Sequence, residues 1–118
     1  MKTAAIVVGK ARSGKSTTIR EFKSVVKIDG DHAFNLHGRP GYILSTSFEE
    51  VPRRNIETTV KKLSKYYHLL FACRGKKLSR LHEALKKAGF TVKDIEVQWG
   101  VSTPRKKAME IVGFFNSN

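Results

Sequence analysis

The sequence predicts an α/β fold: a doubly wound, mainly parallel sheet of five strands with flanking helices, in one domain over residues 1–118. Three observations predict it. Short apolar runs alternate with segments whose apolar residues recur every three or four positions, as expected for strands connected through helices. The first apolar run leads directly into a loop bracketed by Gly9 and Gly14 and then into a segment able to start a helix. No internal repeat or low-complexity tract points to another architecture. Strands separated by helices pair in parallel through right-handed crossovers.

Each element has its own signal in the sequence. Thr3-Ala4-Ala5-Ile6-Val7-Val8 suits a buried strand, and Ser16 to Phe22 opens a short helix. Val25-Val26-Lys27-Ile28 reads as a second strand ending in Asp29-Gly30-Asp31-His32. Residues 29–41 hold Gly30, Gly38, Pro40 and Gly41 and are expected to form a loop. Tyr42 to Ser47 is a third strand. Pro52 suits a first helical turn, followed by Ile56, Val60, Leu63 and Tyr67 at helical spacing. Tyr67 to Cys73 is the fourth and most apolar strand. Arg74-Gly75-Lys76-Lys77 turns into a helix with the stripe Leu78, Leu81, Leu85 and Ala88, which Gly89 ends. Phe90 to Trp99 is the fifth strand. There Phe90 and Val92 keep one phase while Ile95, Val97 and Trp99 keep the other, so a bulge near Lys93-Asp94 is expected. Ser102-Thr103-Pro104 starts a last helix, buried along Ala108, Ile111, Val112 and Phe115. Glu57–Lys61 and Glu83–Lys87 stand at i,i+4 spacing.

Composition narrows the function classes. The single cysteine, Cys73, excludes an internal disulfide and a multi-cysteine metal site, and its apolar surroundings mark it as a core thiol. No apolar stretch is long enough to span a membrane, and the first apolar run stops at the glycine loop without a signal-peptide pattern; a cytoplasmic, intracellular setting is expected. Twenty-three Lys and Arg face ten Asp and Glu, a net charge of +13. Such an excess favours a polyanionic partner, above all nucleic acid held through its phosphates without sequence preference. Lys61, Lys62 and Lys65 also suit a solvated helix face. A homo-oligomer stays open.

Gly9-Lys10-Ala11-Arg12-Ser13-Gly14-Lys15-Ser16 matches the phosphate-binding pattern G-x-x-x-x-G-K-[ST] in full. The glycines let the backbone wrap tightly, so that amide N–H groups and a helix N-terminus can meet phosphate oxygens. Lys15 is the residue expected to reach the β- and γ-phosphates, and Ser16 the hydroxyl expected to ligate Mg²⁺. In its strand–loop–helix setting, the segment resembles the P-loop nucleoside triphosphatases over about the first 30 residues. That resemblance implies binding of ATP or GTP with Mg²⁺ by Gly9 through Thr17. A carboxylate at a neighbouring strand end is needed near the metal. Asp29 is the first candidate, since Val25 to Asp29 resembles the apolar strand ending in Asp called Walker B, and Asp31 is the second. Glu49 and Glu50 follow the third strand, where Ser47-Phe48-Glu49-Glu50 fits a capping box. Candidates to line a crevice at the strand ends are Asp29, Asp31, Ser47, Arg74 and Gly100. Arg53 and Arg54 could touch phosphates, and Arg74 could serve as a sensor or arginine finger. His32 and His37 read as loop histidines. No Asn-Lys-x-Asp guanine-recognition motif occurs.

Two functions of different class fit. Arg39 to Ser47 with Val51-Pro52-Arg53-Arg54-Asn55 resembles a region of viral genome-packaging and DNA-pumping ATPases, in which a strand ends in a polar sensor residue; Thr46 or Ser47 stands where that family commonly has glutamine. This implies an NTPase working with nucleic acid. Lys27-Ile28-Asp29-Gly30-Asp31-His32 resembles a segment of adenylylsulfate kinase and its relatives, which implies a phosphotransferase with Asp31 or Asp29 at the acceptor hydroxyl. A nucleotide-binding interaction module with little hydrolysis is the third reading. The catalytic set expected overall is Lys15, Asp29 and Asp31, with Ser16 and Asp29 at the metal.

Overall fold

The computed structural model describes residues 2–10, 13–30, 32–101 and 103–117 and, of Lys27 and Asp29, the backbone alone. Along the chain run β1 (Thr3–Val8), α1 (Lys15–Val25), β2 (Lys27–Asp29), β3 (Ala33–Leu36), β4 (Arg39–Leu44), α2 (Ile56–Leu63), β5 (His68–Cys73), α3 (Leu78–Lys87), β6 (Thr91–Glu96) and α4 (Pro104–Asn116). The strands form one sheet in the order β2-β3-β4-β5-β1-β6. β4, β5, β1 and β6 are parallel, while β3 runs antiparallel to both β2 and β4. The class is thus α/β with a mostly parallel mixed sheet and helices on its faces. The sheet has six strands rather than the expected five.

Both faces are covered, which is why the central strands read as unbroken apolar runs. Alternate residues of β1 and β5 point to opposite faces. Ala5, Val7, Leu70 and Ala72 pack with Ile19 and Phe22 of α1 and with Ala108, Ile111 and Phe115 of α4. Ala4, Ile6, Leu69, Phe71 and Cys73 pack with Ile56 and Val60 of α2 and with Leu81, Ala84 and Leu85 of α3. Each large side chain so buried contributes ~1.5–3 kcal/mol to folding. The same two faces explain the split phase in β6. Phe90 and Val92 belong to the α2/α3 side, Ile95 and Val97 to the α1/α4 side. Its pairing with β1 runs from Thr91 to Glu96 without interruption, so the expected bulge is not formed.

The far edge departs most from expectation. Residues 29–41 contain β3 and the start of β4, joined by a two-residue turn at His37 and Gly38 with φ of 52° and 79°. Positive φ at both positions is the primed geometry that matches strand twist in a tight hairpin. The Asn35 side chain accepts the Gly38 N–H at 2.9 Å and holds the turn. Pro52 lies in a turn rather than in a first helical turn. α2 starts four residues later, where Asn55 Oδ1 accepts from Thr58 N–H at 2.8 Å. Tyr67 is outside the helix whose stripe it was expected to continue. Of the two i,i+4 pairs, Glu83–Lys87 forms at 3.3 Å, whereas Glu57 reaches across to Arg80 of α3 at 3.0 Å. Pro104 does open α4, and Gly89 does follow α3, with φ of 89°.

Candidate functional site

Loops that follow parallel strands open on one end of a sheet. Here that end receives, among the described residues, 9–10 and 13–14 after β1, 45–55 after β4, 74–77 after β5, and 97–101 and 103 after β6. The strand order sets the loops after β5 and β6 on either side of the loop after β1.

Close packing shapes the first of these loops. Gly9 N–H donates to Cys73 C=O at 3.1 Å, which ties the loop to β5. A Cβ on Gly9 would run into Ser13 Oγ and into Val97, so only glycine fits there. Gly14 takes φ of 98° and caps α1 through its backbone, its carbonyl accepting Thr18 N–H at 2.9 Å. No side chain caps α1, and its first turn has no acidic residue. Its first N–H groups therefore keep both their hydrogen-bonding capacity and the positive end of the helix dipole.

Lys15 is only 8 % exposed. Its ammonium donates to Gly9 C=O at 2.7 Å and Lys10 C=O at 2.8 Å. Burial lowers its pKa, and the charge of Arg74 adds to the effect; Glu50 and Glu49 act in the opposite direction. Ser13 is 8 % exposed, and its buried Oγ has no hydrogen-bond partner among the described residues. A buried hydroxyl without a partner costs ~1–3 kcal/mol. Around these groups opens a cavity of about 670 Å³, lined by Ser13 to Thr17 and, from other loops, by Ser45, Glu50, Arg74 and Trp99. That size suits a small-molecule ligand. A second cavity, about 620 Å³, borders Gly9 and Lys10 from the side of Glu96 and Lys107.

The two glutamates after β4 do different things. Glu49 accepts Arg74 N–H at 3.1 Å and Lys77 N–H at 3.0 Å, and Cys73 Sγ donates to it at 3.4 Å. Burial opposes its charge, but these hydrogen bonds prevail and hold its pKa at about 2. No helix begins at 48–50, so the expected capping box does not form. Glu49 caps a different helix, α3, whose N-cap residue is Lys77. Glu50 instead enters the cavity and pairs with Arg74 at 3.0 Å. Cys73 is fully buried and its thiol is pushed up to about 11, first by burial, so it is the inert core group expected.

The expected site residues thus divide. Gly9, Lys10, Ser13, Gly14, Lys15, Ser16 and Thr17 gather at one end of the sheet; Ala11, Arg12 and Asp31 lie outside the described residues. The structure does not bring Asp29 to them. Through successive register it stands level with Ala33, Tyr42, Leu69 and Ala4. Four strand spacings separate it sideways from β1, ~19 Å, and five residues separate Ala4 from Gly9 along the strand, ~16 Å. Ser47 is fully buried with an unpartnered Oγ. Arg54 Nη1 is 3.4 Å from Thr46 C=O. His32 stacks on Tyr42. Among the described residues no cluster of three or more His, Cys, Asp or Glu could hold a metal by itself. No helix among them is long and apolar enough to cross a membrane.

Sequence reasoning missed Trp99 and Ser45 and ranked Glu50 behind Asp29. A usable signal existed: Glu50 and Arg74 follow strands that are neighbours in the sheet, but that adjacency is not written in chain order. Comparison with protein-family models, curated proteins and solved structures yields no match.

Proposed function

We propose that this chain binds a nucleoside triphosphate, ATP or GTP, as its Mg²⁺ complex through Gly9–Thr17 and hydrolyses it in association with nucleic acid. The observation that carries this reading is Lys15. Lys15 is a nine-tenths buried residue whose ammonium turns onto two carbonyls of its own loop, beside a helix start with no side-chain cap and an unpartnered Ser13 hydroxyl. Phosphate oxygens are the ligand chemistry that satisfies all three at once. The oxygen donors suit the metal of the substrate as well. Ser16 lines the cavity, and a hard Mg²⁺ takes a hydroxyl together with water and phosphate oxygens. The metal, when bound, neutralises charge on the β- and γ-phosphates.

Glu50 is the one carboxylate lining that cavity among the described residues, and it is the acid placed beside the phosphates in this reading. It orients a water whose oxygen attacks the γ-phosphorus. The bond from that phosphorus to the bridging oxygen breaks, the water proton passes to Glu50, and nucleoside diphosphate and phosphate leave. Arg74 supplies positive charge to the γ-oxygens. The far-edge position of Asp29 takes from the phosphotransferase reading the acid it was built on, and Asp31 lies outside the described residues. The nucleic-acid half of the proposal is supported by the +13 charge.

Calorimetric titration with Mg–ATP and Mg–GTP tests the site. Lys15→Ala is expected to lose ~2–4 kcal/mol of binding, the loss of a desolvated charge-assisted contact. Equal affinity in both proteins overturns the assignment. Phosphate release is then followed with and without nucleic acid and with a panel of hydroxyl acceptors. Stimulation by nucleic acid supports the proposal, label recovered in an acceptor replaces it with phosphotransfer, and binding without turnover replaces it with an interaction module.

A further inference from the structure

Trp99 and Val101 are each 74 % exposed, close together in the loop between β6 and α4. Exposed large apolar groups placed side by side mark a contact surface. Their setting indicates the partner. The loops at this end of the sheet carry Lys10, Arg53 and Lys76, and the first turn of α4 carries Lys106; none of the four has an ion-pair partner among the described residues. Of the acids at this end, Glu49 is committed to backbone N–H groups and Glu50 to Arg74, which leaves Glu96, beside Lys10 at the second cavity, against the cations. An aromatic ring amid uncompensated cations complements a ligand with both phosphates and accessible base faces. A duplex keeps its base faces stacked inside, whereas a single strand presents them.

We infer that this end of the sheet, with Trp99 and the cations Lys10, Arg53, Lys76 and Lys106 on its strand-end segments, is a platform for single-stranded nucleic acid, with one base stacked on the Trp99 ring. This rests on the nucleic-acid half of the function proposed above and adds where the strand lies and which form is bound. Trp99 also lines the 670 Å³ cavity and a smaller one, about 380 Å³, beside Thr17 and Thr18. A strand held on its ring therefore crosses the mouth of the cavity that holds Lys15, and coupling between the two ligands has a short path.

Trp99 is the only tryptophan of the chain, so its fluorescence reports contact directly. The full chain, free of nucleotide, is titrated with a fluorescein-free oligothymidine, then with a duplex of equal length, and separately with Mg–ADP. Quenching by the single strand at low salt is expected, weaker for the duplex. By anisotropy of a labelled oligothymidine, Trp99→Phe is expected to keep most of the affinity and Trp99→Ala to lose ~5- to 150-fold, the equivalent of ~1–3 kcal/mol for one base–aromatic stack. Lys106→Gln and Arg53→Gln should each lower the log–log salt slope by ~0.7, the value for one phosphate contact on a single strand. Quenching by Mg–ADP but not by the oligonucleotide overturns the platform and assigns the ring to a nucleotide base. Undiminished oligonucleotide binding by Trp99→Ala, or equal quenching by the duplex, overturns it too. The titration is repeated on Lys15→Ala: quenching by the strand in a protein that binds no nucleotide in either form leaves the platform standing while the NTPase reading falls.

Discussion

The two ends of the sheet use the same kinds of residue in opposite ways. At the amino end, where β1, β4, β5 and β6 begin, polar and charged groups are satisfied internally. His68 is 1 % exposed, with Nδ1 at 2.6 Å from Thr3 Oγ1 and its ring stacked on Phe115 at 4.7 Å. Lys2 lies over the Phe90 ring and donates to Ser64 C=O, and Arg39 lies over Tyr67 at 4.3 Å. At the carboxyl end, Lys15 turns back on its own loop, Ser13 and Ser47 have buried unpartnered hydroxyls, and Arg74 and Glu50 pair across a cavity. Buried polar groups left unpaired cost free energy and are rare in native folds. On the function proposed above, their concentration at one end puts stability and ligand chemistry at opposite ends of one sheet. Substitutions therefore separate the two, and folding stability ranks them.

Phe115→Ala has the largest expected effect. The ring is 1 % exposed and packs edge-on against Phe22 as well as on His68. Its removal leaves a cavity at the amino end and should cost ~3–5 kcal/mol in urea or thermal unfolding. Nucleotide affinity at room temperature should stay close to wild type as long as the chain remains folded. A parallel loss of affinity in the folded protein would break the division between the ends.

Next comes pH. Burial, reinforced by the charge of Arg39, lowers the His68 pKa from 6.5 to about 4. A depressed histidine is neutral in the fold while the unfolded chain already binds a proton. Its stabilisation is complete above pH 6.5 and is lost as pH falls toward 4, by up to ~3 kcal/mol. Glu49 acts in a lower window, since its pKa falls from 4.5 to about 2. Its contribution is complete above pH 4.5 and is lost as pH falls through 2. Solvent screening of a partly exposed carboxylate reduces it to ~1–2 kcal/mol. Unfolding midpoints between pH 7 and 2 should thus decline in two steps. His68→Phe should flatten the upper step and Glu49→Gln the lower. One merged step insensitive to His68→Phe would show that the amino end is not held by the neutral imidazole.

The sequence made some of this legible for a physical reason. The loop between Gly9 and Ser16 was readable because its signal is local: the pattern lies in consecutive residues. β5, α3 and α4 were readable because burial on both faces or along one stripe leaves strong patterns. The β2–β3–β4 edge was not. Ala33 to Leu36 is only four residues long and carries a weak pattern, and Pro40 and Gly41 look like loop punctuation. Yet Gly41 sits in a strand where a Cβ would strike the Phe34 ring, so it records close packing rather than a turn. The distance of Asp29 from Lys15 was illegible for the same reason. Asp29 follows the next strand in sequence, but that strand pairs at the far edge, and only the register puts the ends of β4 and β5 side by side.

The smallest effect on folding is expected at Glu50, and that is what makes it informative. Glu50 and Arg74 have side chains 36 % and 41 % exposed. An exposed pair of this kind contributes less than ~1 kcal/mol, so Glu50→Gln should leave the unfolding midpoint nearly unchanged. Glutamine keeps the size of the side chain but cannot take a proton from water. On the proposed hydrolysis, turnover should therefore fall by ~10²-fold or more, the usual scale for loss of a general base, with Mg–nucleotide affinity largely kept. Glu49→Gln, one residue away, should show the reverse: lower stability in acid, and turnover reduced only so far as Arg74 loses its backbone anchor. If Glu50→Gln keeps full turnover while Glu49→Gln abolishes it, the carboxylate that works at the carboxyl end is the one bound to Arg74 and Lys77 N–H, and the two neighbours exchange roles.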